Sequence, residues 1–83
     1  MHSQRFNHII IQKTVRGDKR SATLRGVYSS QRKATAQFDT IKDEEYTHLA
    51  RFYNREPNLS LQKDRAVITV TDHTITIIVI KVP

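Results

Sequence analysis

The stretch AVITVTDHTITIIVIKV, Ala66 to Val82, decides how this chain builds its core. Almost every residue in it is β-branched, and branching at Cβ favours extended backbone. Only Asp72, His73 and Lys81 interrupt the run, and Thr71-Asp72-His73-Thr74 is the one break in it. The stretch therefore predicts a hairpin, with Asp-His a poorer two-residue turn than Asn-Gly and a longer loop an open alternative. In its second strand Ile75, Ile77 and Val79 face one way while Ile78, Ile80 and Val82 face the other. Apolar residues on both faces mark a central strand, or one whose second face another chain covers.

Working outward, Asn7 to Val15 alternates as a half-buried strand. Ile9, Ile11 and Val15 form its apolar face, and His8, Gln12 and Thr14 share the other with Ile10. Lys13 falls on the apolar face, so it lies near the sheet end, snorkels, or marks a bulge. Arg16-Gly17-Asp18-Lys19-Arg20 reads as a turn in which Gly17 supplies a positive φ. Ser21 to Val27 resumes the extended pattern and completes a first hairpin, with Ala22, Leu24 and Gly26 on one side and Thr23, Arg25 and Val27 on the other.

A helix follows, with Ser29 or Ser30 as N-cap. Ala34, Phe38 and Ile41 stand at helical spacing, as do Tyr46, Leu49, Ala50 and Tyr53. At ~100° per residue the two stripes are out of phase by roughly a third of a turn, which predicts a break near Lys42-Asp43. Asp43-Glu44-Glu45 then reads as a second helix start, acids being favourable at the positive end of the dipole. Asn54 to Arg65 is polar and holds Pro57, so it reads as a loop with Leu59 and Leu61 tucked against the core. The expected fold is a single compact α+β domain over residues 1–83. Its order is β-β-α-(α)-β-β, a small antiparallel sheet of about four strands with one or two helices packed on one face.

Eighty-three residues allow one modest core, and ~5 kcal/mol of net stability is a fair scale for it. There is no cysteine, which excludes disulfides and thiolate zinc sites. MHSQRFNHIIIQK is too short in apolar residues for a signal peptide and lacks a small-residue cleavage site. Thr74 to Val82 is far shorter than the ~20 apolar residues of a membrane helix. These readings predict a soluble, cytoplasmic protein.

Catalytic patterns are missing. His2, His8, His48 and His73 match no local metal motif. Glu44 and His48 share a helix face at i, i+4, which is far more often a solvated pair than a ligand pair. No serine sits in a G-x-S-x-G turn, and two glycines are too few for a phosphate-cradling loop. The expectation is no enzyme, no cofactor and no metal.

Charge is the remaining signal. The net charge is +6, and residues 1–33 alone carry eight cations against Asp18. Such a field favours anionic partners. Two places concentrate it. One is the basic turn Arg16, Lys19 and Arg20, with Arg25 on the following strand. The other is the helix start, where Ser29 and Ser30 stand beside Arg32 and Lys33; free amides and cations there suit an anion. The commoner arrangement, a serine that only caps while Arg32 and Lys33 point into water, stands beside that reading. Tyr28, Tyr46 and Tyr53 are not interleaved with the cations, so no base-stacking platform is present.

The chain is thus expected to be a small basic binding protein contacting nucleic-acid phosphates through the hairpin turn and helix start. The alternative is a protein-interaction module, such as a phage or mobile-element inhibitor or adaptor, that binds an acidic protein surface. Homodimerisation through the C-terminal hairpin is the expected answer to its doubly apolar strand.

Overall fold

Two hairpins meet in the middle of one sheet. In the computed structural model, which describes residues 7–83, β1 (Asn7–Arg16) and β2 (Lys19–Tyr28) form the first hairpin. The helix α1 (Gln31–Tyr53) follows, and then β3 (Asn58–Gln62), β4 (Arg65–Val70) and β5 (His73–Val82). The sheet order is β2-β1-β5-β4-β3, with every neighbouring pair antiparallel. The stretch MHSQRF, with His2 and Arg5, lies outside the described residues. Among the described residues no helix is long and apolar enough to cross a membrane.

β5 is the central strand, as its doubly apolar pattern predicts. The turn before it is Thr71-Asp72, and His73 already belongs to the strand. Gly17 and Thr71, the first loop residues of the two tight turns, have φ of 62° and 52°. That is the backbone a type II′ hairpin demands at this position. Glycine adopts it freely, whereas a β-branched threonine is strained there.

The helix covers the face opposite to the one predicted for β1. Ile10 is fully buried, while Ile9, Ile11 and Val15 are only half-buried. Register explains the choice. β4 alternates strictly, with Ala66, Ile68 and Val70 buried and Arg65 exposed. Ala66 pairs with Ile77, which pairs in turn with Gln12, and cross-strand partners share a face. The even-numbered residues of β1 are thereby committed to the helix side. Lys13 consequently stands on the open face, in water, and needs no bulge or snorkel to explain it.

The core gathers Ile10, Phe38, Ile41, Leu49, Ala66, Ile68, Val70, Ile75 and Ile77, with Tyr28, Tyr46, Tyr53 and Val79 packed around it. α1 is one continuous helix, without the predicted break at Lys42-Asp43. Its contact line drifts around the cylinder as it crosses the sheet, which a twisted sheet requires, so the two stripes serve one helix. Asp43-Glu44-Glu45 therefore lies mid-helix and starts nothing. Ser30 is the N-cap, accepting from Lys33 N–H at 3.1 Å, and Asn54 closes the helix in the left-handed region at φ 52°.

A fifth strand lies inside the segment expected to be loop. β3 is short, every residue in it is exposed, and it pairs only with β4. Leu59 and Leu61 are 43% and 55% exposed rather than tucked against the core, and Pro57 is the buried residue of this segment. α1 packs chiefly on β5, β4, β1 and β2, so the edge strand lies at the margin of its cover.

Candidate interaction surface

One face of the sheet carries no helix. Following the pairings, it presents Ile9, Ile11, Lys13 and Val15 of β1, and Arg20, Ala22, Leu24 and Val27 of β2. Thr74, Thr76, Ile78, Ile80 and Val82 of β5 continue it, and Arg65, Val67 and Thr69 of β4 extend it further. Leu24 and Val27 are the most open of its aliphatic side chains, at 59% and 55%.

Their common facing depends on a bulge. Ile10 pairs with Gly26 and Ile11 with Leu24, leaving Arg25 as the extra residue of β2. Strict alternation would put Leu24 and Val27 on opposite faces, as the sequence reading has them; the bulge restores both to the open one. Gly26 completes the device. A Cβ added there would sit 2.6 Å and 2.7 Å from Cε2 and Cζ of Tyr28, whose ring folds back over the glycine.

Charge on this face is one-sided. Lys13, Arg20 and Arg65 are exposed, and no acid stands among its residues on the five strands. None of the three cations has an ion-pair partner among the described residues. The outer face of α1 is different, with Asp39, Asp43 and Glu44 exposed along its middle.

The predicted anion-binding residues do not form one site. Arg16, Lys19 and Arg20 stand at the β1–β2 tip, beside the Thr71-Asp72 turn, where Gly17 N–H donates to the Asp72 carbonyl at 3.1 Å. Arg16 also lies over the Phe52 ring, 5.4 Å from its centroid. Ser29, Ser30, Arg32 and Lys33 stand at the other end of the strands, ~30 Å away at the rise of extended chain. Ser30 is occupied as the cap, while Ser29, Arg32 and Lys33 are exposed.

Arg25 belongs to neither group. It is half-buried on the helix side, donates to Gln12 Oε1 and lies 3.6 Å from a Glu45 carboxylate oxygen. Gln12 Nε2 also reaches Glu45, at 3.4 Å. A guanidinium held in this way is paired with Glu45 of α1 and is not free for a phosphate.

Sequence reasoning missed what the fold brings to the helix start. A cavity of about 110 Å³ there is lined by His8, Gln31, Lys63, Asp64, Val79 and Lys81. These residues come from β1, α1, the β3–β4 turn and β5, and only the register assembles them. His73, read as an exposed turn residue, is half-buried instead, with Nδ1 3.1 Å from the Tyr53 hydroxyl. Burial pushes its imidazole below the usual 6.5, and the charge of Arg16 adds to that. Among the described residues no three His, Cys, Asp or Glu side chains gather as a metal cluster. Comparison of the chain with family models, curated proteins and solved structures gives no match.

Proposed function

We propose that this chain is a small non-enzymatic binding protein whose helix-free sheet face docks on an acidic protein surface. The observation that carries the reading is that face itself, on which Ile9, Ile11, Leu24, Val27, Ile78 and Ile80 stand among threonines with Lys13, Arg20 and Arg65 and no acid. Exposed aliphatic groups gain most when another apolar surface covers them. Three like charges around them select a partner of opposite sign and speed its approach. Three ten-residue strands and their neighbours give the face roughly 600 Å², near the ~800 Å² that each partner contributes to a standard interface. A second copy of the chain would bring the same three cations and no acid, so the expected homodimer fits this face less well than an acidic partner.

Nucleic acid is the second reading, favoured by the two basic ends. Their ~30 Å separation is close to the ~34 Å of one duplex turn. Lys63 and Lys81 reinforce Arg32 and Lys33 at one of them. A duplex would use those cations and leave Leu24, Val27 and Ile80 uncovered, and among the described residues the face has no aromatic ring on which a single-stranded base could stack.

The two readings separate in one set of variants. Lys13→Glu with Arg20→Glu reverses charge, Leu24→Ser with Val27→Ser removes aliphatic surface, and Glu44→Gln on the outer helix is the control. A protein partner is lost in both of the first two variants and kept in the third. Nucleic acid that binds wild type and the serine variant alike would overturn the protein reading. So would a concentration-dependent dimer broken by the serine pair, with no other protein bound.

A further inference from the structure

We infer that the cavity at the start of α1 binds a single phosphate group, with His8 as the ligand at its base. His8 is 5% exposed, and neither Nδ1 nor Nε2 has a hydrogen-bond partner among the described residues. An imidazole has at least one N–H to donate in every protonation state, and leaving a buried donor unmade is costly. A ring held like this in a polar cavity is waiting for an acceptor.

Its surroundings select an anion. Among the described residues lining the cavity, Lys63 and Lys81 are cationic and Asp64 is acidic. Gln31 is the first residue of a 23-residue helix, and the amides of its first turn carry the positive end of the dipole. Ser30 takes up only the Lys33 amide among these donors. About 110 Å³ is room enough for one tetrahedral oxyanion. A phosphate fits as the free ion or as the terminal monoester of a larger ligand. The site faces the helix side and shares no residue with the open sheet face, so it stands independently of what docks there.

The test is an NMR titration of the full chain with inorganic phosphate, exchanged against chloride at constant ionic strength. A 5′-phosphorylated oligonucleotide and its unphosphorylated twin form the second arm. The expected result is saturable movement of the His8 ring and of the Gln31 and Arg32 amides at millimolar phosphate. His8→Phe removes that movement while the fold is retained, and Lys63→Gln weakens binding about fivefold. If only the phosphorylated oligonucleotide adds affinity over its twin, the site is a terminal-phosphate pocket; equal affinity of the two assigns it to the free ion. Absence of saturable shifts, or shifts that survive His8→Phe, would overturn the inference and leave His8 to internal water. Neither outcome bears on the sheet-face variants, which are read with a protein partner.

Discussion

Ile77 and Ile78 are neighbours on the central strand and point to opposite faces, so truncating each to alanine tests which face is the core. Ile77 is fully buried between Gln12 and Ala66, while Ile78 is half-buried on the open side between Ile11 and Arg65. Each substitution removes three carbons, worth ~0.8 kcal/mol apiece when fully buried. At Ile77 the cavity term adds to that, for a total of about 3–4 kcal/mol. At Ile78 water occupies the vacated space and only part of the transfer energy is lost, about 1 kcal/mol. Against a total near ~5 kcal/mol, Ile77→Ala leaves a barely folded protein and Ile78→Ala an ordinary one. Urea unfolding followed by circular dichroism reads both, with midpoint shifts of roughly 3 M and 1 M at a slope of ~1 kcal/mol/M. Equal losses at the two positions, growing with protein concentration, would refute the reasoning and show the open face to be covered in solution.

Three more predictions follow from local geometry. Gly26→Ala drives a methyl into the Tyr28 ring and lifts it from the core, costing about 1–3 kcal/mol by thermal unfolding. Thr71→Gly relieves a positive φ on a β-branched residue and raises stability by roughly 1 kcal/mol, visible as a higher Tm. His73 carries an imidazole whose native pKa is held below 6.5 by burial, so the unfolded chain takes up its proton first. Its contribution is complete above about pH 6.5 and is lost as the pH falls through the lower native value. His73→Gln should flatten that part of the stability profile, measured by urea unfolding between about pH 7 and pH 5.

Much of this architecture is legible in the chain, because most of it is written in periods of two and 3.6. Both long hairpins, the central place of β5, the Ser30 cap and the turn at Gly17 follow from local patterns. The facing of β1 does not, because Ile9, Ile10 and Ile11 supply aliphatic groups to both sides and only pairing through β5 to β4 settles it. Two stripes out of phase suggest a helix break, yet a twisted sheet accommodates that drift within one continuous helix. β3 escaped because NLSLQ is short and exposed, and its strand character comes from the partner it finds in β4.

The site residues divide along the same line. Arg16, Lys19 and Arg20 sit together because they are adjacent in sequence. Arg25 follows them in sequence, but the bulge turns it toward Glu45. His8, Lys63 and Lys81 are far apart in sequence and meet only at the sheet end. Lys13 and Arg65, the cations that join Arg20 on the open face, gave no local signal beyond their charge.

The most direct test of the account places a photo-crosslinking residue at Leu24, and in a second sample at Thr47 on the outer helix, in lysate of the source cell. The account predicts that Leu24 captures one acidic protein that Thr47 does not. Purified, that protein should bind wild type in a salt-sensitive manner and bind neither the Lys13→Glu/Arg20→Glu nor the Leu24→Ser/Val27→Ser variant. Crosslinks from Leu24 only to a second copy of the chain, or to nucleic acid, would contradict it.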